Sequence, residues 1–341
     1  GHAPEIWRHA RALGLPVTRA EVANGTPDMA LEVQRLYRES TLSGTGILAM
    51  GGHQDGVLAF GGSAGEAGEM LVRHLARMLD KNIIPLIPSR GSVGASGDLA
   101  PQAHMALAVI GEGDVLFRGR VVPAAKALKA AGLKPFVLSA KEGLALLNGT
   151  QAMQSVGGLA LLAAERVYRA SNLACAASLD ALTGTPSPFD EAIQLLKPHP
   201  GQMSAARSLR RLLAGSEIRK SHVVDDPRVQ DSYSLRCAPQ VHGAVLDRLT
   251  EARRIVQIEL GSVTDNPLVA GGRVISGGNF HGQALSFAFD SAAGALTALA
   301  NISERRTFQV TAGAAPRLKP FLSHDPGVES GYMIAQYAAA A

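Results

Sequence analysis

From residue 150 to residue 182 the chain runs without a proline and is rich in Ala and Leu. A stretch of that length and composition reads as one long buried helix. Two further segments show helix faces that would pack in the same way. Val245, Leu249, Ala252, Val256 and Leu260 step by four, three, four and four residues. Leu285, Phe289, Ala292, Leu296 and Leu299 step by four, three, four and three. Narrow apolar stripes at this heptad-like spacing belong to helices in a bundle. Only 4% of the residues are aromatic, so the core must be built from aliphatic side chains that suit closely packed helices. The expected fold is mainly α: a long-helix bundle with small β hairpins near the end that carries the candidate site.

Shorter elements follow from local signals. Helices are predicted over 28–38, 69–79, 98–109, 123–131 and 203–213, and a proline-studded connection over 187–200. Pro85 and Pro88 predict an extended segment over 81–89. A hairpin is predicted over 114–122 around Arg118-Gly119. Ser139 to Glu142 has capping-box spacing for a helix that breaks at Asn148-Gly149. Residues 44–68 are glycine-rich and show no usable period. Residues 1–90 therefore form an N-terminal region without a clear assignment, and residues 91–341 a helical core that ends inside a helix.

Charge and cysteine content exclude several classes. The chain has 33 Lys+Arg against 29 Asp+Glu, a net charge of +4, and the basic residues are scattered. That is no footprint for nucleic acid. Two cysteines, Cys175 and Cys237, make neither a disulfide scaffold nor a four-cysteine zinc site. The histidines show no zinc spacing, and no metal is expected. The best apolar run, 285–299, is shorter than a membrane span and carries Asp290. No signal pattern opens the chain, so the expected location is cytoplasmic, away from membranes.

The strongest chemical signal is Gly91-Ser92-Val93-Gly94-Ala95-Ser96-Gly97-Asp98-Leu99-Ala100-Pro101. A glycine-rich segment ahead of a helix can cradle an anion, but the Gly-Lys-Ser/Thr ending of a phosphate loop is missing. The other reading lies in Ala95-Ser96-Gly97 itself. Gly97 has no side chain, so its amide nitrogen can approach the Ala95 carbonyl carbon. Ring closure with loss of water and of the Ser96 hydroxyl gives an imidazolone with an exocyclic methylene, a strong electrophile. Asp98 follows directly and can assist that closure or cap the next helix.

In this context the chain resembles the histidine and aromatic amino-acid ammonia-lyases. The resemblance runs from about residue 88 to 341. It rests on separate blocks in order: 91–101; Lys141-Glu142-Gly143-Leu144-Ala145-Leu146-Leu147-Asn148-Gly149-Thr150-Gln151; Lys197-Pro198-His199-Pro200-Gly201-Gln202; Gln230-Asp231-Ser232-Tyr233-Ser234-Leu235-Arg236-Cys237; Thr264-Asp265-Asn266-Pro267-Leu268; and Gly278-Asn279-Phe280-His281-Gly282. It implies a methylidene-imidazolone made autocatalytically from Ala95, Ser96 and Gly97, with neither pyridoxal phosphate nor metal. It also implies a homotetramer with shared active sites and an amino-acid substrate. Arg236 can fork a substrate carboxylate or make a structural ion pair, and the resemblance favours the fork. Tyr233 would place a hydroxyl near the electrophile, and packing in the core is the alternative. Asn148 would hold the substrate carboxylate or the imidazolone oxygen. Gln230 is placed in the site too, with backbone capping as the alternative for both amides. Phe280 would pack on the prosthetic group or the substrate ring, or simply in the core.

The pattern is incomplete. The family's Tyr-Gly loop should precede the triad, yet none of Tyr37, Tyr168, Tyr233, Tyr332 and Tyr337 is followed by Gly. Its upstream Ser-His pair is not recognisable, and the last residues read as the middle of a helix. The expectation is a partial or truncated lyase whose parent protein removes ammonia from histidine first, giving urocanate, then from tyrosine or phenylalanine. An aminomutase sharing the electrophile is the alternative. A non-catalytic helical oligomer with an uncyclised triad is the rival from another class.

Overall fold

The computed structural model describes residues 4–12, 14–23, 26–42, 47–51, 57–59, 64–93, 98–138, 141–224, 226, 228–270 and 272–341. The chain divides into two compact units, Gly1–Ala152 with Val263–His281, and Met153–Ser262 with Gly282–Ala341. The expected boundary near residue 91 is not where the units divide. Residues 98–152 fall in the same unit as the described residues before residue 91.

The first unit mixes short helices and hairpins: α1 Pro4–His9, α2 Pro27–Glu39, α3 Ala64–Asp80, α4 Leu99–Val109, α5 Ala124–Ala130 and α6 Glu142–Leu147. Thr26 caps α2, its hydroxyl accepting from the Met29 amide. Strands β1 Ile47–Ala49 and β2 Val57–Ala59 pair antiparallel inside the glycine-rich stretch that shows no sequence period. Three-residue strands are too short for alternation to show. β3 Ile84–Pro85, β4 Asp114–Phe117 and β5 Arg120–Pro123 form one antiparallel sheet. The β4–β5 turn sits at Arg118-Gly119 as predicted, both residues with positive φ (51° and 74°). β6 Leu268–Ala270 and β7 Arg273–Ile275 make a last hairpin. Met78, Ile83, Val109, Val115 and Leu128 share the core between the sheet and its helices. The predicted capping box falls on Ser139 and Ala140, outside the described residues. Lys141 opens α6 with φ 69° and no side-chain cap.

The second unit is helical: α7 Gln151–Ala181, α8 Glu191–Leu195, α9 Pro200–Leu212, α10 Glu217–Lys220, α11 Tyr233–Arg236, α12 Ala238–Leu260, α13 Gln283–Thr311 and α14 Met333–Ala340. The predicted connection over 187–200 thus contains a 3-10 turn at Ser187–Phe189 and the short α8, and Pro200 opens α9 at a position where its missing N–H costs nothing. Leu161, Ala164, Val245, Leu249, Ala252, Val256, Leu285, Ala292 and Leu299 form one core, with Phe289 and Leu296 half-buried against it. Both predicted stripes therefore face inward, except Leu260, which is exposed. It is the last residue of α12. α13 is long and apolar enough to cross a membrane by length and composition. Its apolar stripe, however, is used inside the unit. Two glycines bring α9 and α12 backbone to backbone. A Cβ on Gly243 would lie 2.3 Å from Gln202 Cα, and one on Gly201 2.0 Å from the Gly243 carbonyl oxygen.

Candidate active site

Ala95, Ser96 and Gly97 lie outside the described residues, as does His53. Their C-terminal neighbour is well placed. Asp98 is fully buried. Its amide donates to the Gly149 carbonyl at 2.7 Å. Its carboxylate accepts from the Ser92 hydroxyl. The side chain makes no capping bond to α4, so the capping alternative has no support. Ser92 and Asp98, which flank the Ala-Ser-Gly triad in sequence, are thus joined to each other.

Gly149 sits where only glycine fits. A Cβ there would approach the Thr264 carbonyl oxygen to 2.6 Å. The Gly149 oxygen also accepts from Gln102 Nε2 at 3.3 Å. Gln151 Nε2 donates to Thr264 Oγ1 at 2.9 Å. These contacts place Asn148, buried, against the 264–266 loop. Its Nδ2 donates to Asp265 Oδ1 at 3.1 Å and to the Asn266 carbonyl at 3.4 Å. Both neighbours are acceptors, so the orientation of the amide is fixed by chemistry. Lys141 pairs with the other Asp265 oxygen. The expected role for Asn148, donating to a substrate carboxylate or an imidazolone oxygen, competes with these two bonds. Among the described residues its Oδ1 has no such partner. Sequence reasoning missed Asp265 and Lys141, though both stand in the blocks that carried the resemblance. Phe280 lies half-buried in a turn of the same unit.

In the second unit the predicted residues gather on and beside α11. Tyr233 is 71% exposed, so it is not a core residue. The Arg236 guanidinium carbon lies 4.5 Å from the Tyr233 ring centroid. The Nε–H of Arg236 is buried and has no hydrogen-bond partner among the described residues. The structural ion pair weighed as an alternative for Arg236 is absent among those residues. Gln240, one helical turn on, has a buried Oε1 that is also without a partner among the described residues. An unpaired donor and acceptor in the same stretch suit a polar ligand. Gln230 is exposed just ahead of them. Asp231 is buried and accepts from the Thr185 amide at 2.6 Å, which anchors the segment leading into α11. Cys175 is buried, and burial pushes its thiol up; Cys237 is half-buried. Among the described residues no group of three His, Cys, Asp or Glu side chains could hold a metal.

The family model for aromatic amino acid lyases matches residues 59–341. The chain belongs to the aromatic amino acid lyase family. The histidine ammonia-lyase of Sorangium cellulosum is 53% identical over 274 residues, covering 78% of this chain and 53% of that protein. Among solved members, the tyrosine aminomutase of Streptomyces globisporus matches with a TM-score of 0.73 and 38% identity, over 80% of this chain and 55% of the other. The histidine ammonia-lyase of Trypanosoma cruzi matches with a TM-score of 0.72 and 32% identity, over 99% of this chain and 59% of the other. The chain thus spans about half the length of the curated lyases it matches. The mainly helical fold is the one these lyase-family structures share.

Proposed function

We propose that the whole protein eliminates ammonia from an aromatic L-amino acid, with histidine as substrate and urocanate as product. The observation that carries this reading is Arg236: a guanidinium stacked on Tyr233 whose buried Nε–H awaits an acceptor. A planar fork of that kind suits a carboxylate. Identity of about half to histidine ammonia-lyases supports histidine ahead of tyrosine and phenylalanine.

The residues present fit a methylidene-imidazolone. Ala95, Ser96 and Gly97 would form and hold it, and buried Asp98, gripped by Ser92, stands beside them to move protons during closure. When present, the group supplies an electrophile that captures the amine or ring, which makes a poor leaving group able to depart. The chain's own residues do the rest. Arg236 binds the carboxylate. Asn148 presents Oδ1, the atom its two donated bonds leave available to an ammonium. The resemblance gives Tyr233 a hydroxyl for the electrophile, and Gln230 and Phe280 roles in holding the substrate. The protein is cytoplasmic and works as a homotetramer with shared sites.

An aminomutase is the second reading, favoured by the 38% identity to a tyrosine aminomutase. Product analysis separates the two. Incubated with L-histidine, the whole protein should release urocanate and free ammonia. A β-amino acid with no net ammonia would make it a mutase. Intact mass should show loss of two waters, about 36 Da. A full, uncyclised mass with no turnover would favour a non-catalytic helical oligomer.

A further inference from the structure

A buried cation lies under α11. Arg306 on α13 is 2% exposed. Its Nη1 donates to the Ser234 carbonyl at 3.2 Å and meets His242 Nε2, also at 3.2 Å. Its Nη2 donates to Ser303 Oγ at 2.9 Å. A guanidinium cannot accept, so His242 Nε2 must, and the ring proton sits on Nδ1. That proton points at Asn172 Oδ1, 2.9 Å away. Asn172 in turn donates through Nδ2 to the Tyr168 carbonyl at 3.2 Å. Donor and acceptor are thereby fixed along the whole row.

Every one of these partners is neutral. No carboxylate pairs with Arg306 among the described residues. Burying an unpaired charge is costly, and an apolar side chain of similar volume would generally be as stable or more so. The position invites such a residue. Leu285, Ala292, Leu299 and Arg306 follow one another at intervals of seven, and the first three are core. A cation kept there calls for a use.

The use is visible in what it holds. Ser234 lies in α11 between Tyr233 and Arg236. A four-residue helix has too few internal bonds to keep its own shape. Leu235 anchors it in the core, and among the described residues Ser234 Oγ meets only Ser232 Oγ, at 2.9 Å. Arg306 supplies a charge-assisted bond to its backbone from below. We propose that Arg306 is a positioning residue: through the Ser234 carbonyl it sets the pose of α11 and so aims Arg236 at a substrate carboxylate. This rests on the reading of Arg236 given above.

The test uses the whole protein and two fragments of histidine as inhibitors. Imidazolepropionate keeps the ring and the carboxylate; histamine keeps the ring and the amine. Arg236→Lys should weaken imidazolepropionate about tenfold or more, as losing one aligned ionic bond does, and leave histamine within about twofold. Arg306→Lys should do the same, with melting close to wild type, because an ammonium can still reach Ser234 and Ser303 but cannot aim as a rigid fork. The double variant should bind imidazolepropionate no more weakly than Arg236→Lys alone. Arg306→Gln serves as the second variant if the lysine does not fold. Equal losses for both inhibitors, losses that multiply in the double variant, or no loss would overturn the proposal. So would failure of both Arg306 variants to fold, which would make the residue core alone. Wild-type binding of phenylpropionate and phenethylamine, with neither imidazole compound bound, would correct the substrate ring, and the comparison then runs on that pair. A wild type that binds neither pair refutes the lyase reading, and this inference with it.

Discussion

Acid should unfold this protein through one histidine. His242 is fully buried, and burial first, then the facing Arg306 cation, pushes its imidazole down to about 3 from the usual value near 6.5. In the unfolded chain the ring takes up a proton near pH 6.5; in the folded chain it does not until about pH 3. Above pH 6.5 neither state is protonated and the full stability is present. As the pH falls below that, only the unfolded state gains a proton, and stability drains away at about 1.4 kcal/mol per pH unit until the folded ring titrates. Between pH 6.5 and pH 5 the loss from this ring alone should be about 2 kcal/mol. Denaturant melts across that range would measure it. The control is His242→Gln, whose amide can accept from Arg306 and donate to Asn172 without titrating. Subtracting its curve removes the contribution of every other group. A wild-type curve parallel to that of the glutamine variant would refute the reasoning, because it would mean that the ring can be charged in place.

Three further outcomes are expected. Gly243→Ala would drive its Cβ into the Gln202 backbone and force α9 from α12, costing about 3 kcal/mol in a thermal or denaturant melt; an unchanged midpoint would show that the crossing has slack. Asp265→Ala would free the Asn148 amide and leave Lys141 without its partner, so turnover of histidine should fall at least about tenfold while imidazolepropionate affinity holds within about twofold. A loss confined to imidazolepropionate would instead make Asn148 a donor to the carboxylate. Ser92→Ala removes the hydroxyl on Asp98 and should slow the appearance of the two-water mass deficit in freshly made protein. A deficit that forms at the wild-type pace would show that Asp98 needs no such support.

Much of the second unit could be read directly. Its stripes name the inward residues because a helix repeats its surface every few positions, and Leu260, which departs, is the last residue of α12. The residues on and beside α11 were legible as chemistry through their order in the chain. What they touch was not. Arg236 reads equally well as clamp or ion pair until its Nε–H is found without a partner. The hairpin of β1 and β2 lay below the length at which alternation shows. Asp265 meets Asn148 across 117 residues and Lys141 across 124, pairings no local pattern encodes. Arg306 did leave a trace, a charge at an apolar interval of seven.

The division of the first unit has a consequence for assembly on the ribosome. Asn148 emerges early, but Asp265 and Thr264, which hold its corner, follow only after the whole of Met153–Ser262 has been made. At about 5–20 residues per second, that corner must wait several seconds at least, its glycine-rich neighbour meanwhile without the 264–266 loop. Closing so long a loop is slow compared with winding helices from local contacts. The order of synthesis therefore places the helices of Met153–Ser262 before the completion of the Asn148 corner, and α13 and α14 after the residues that complete it.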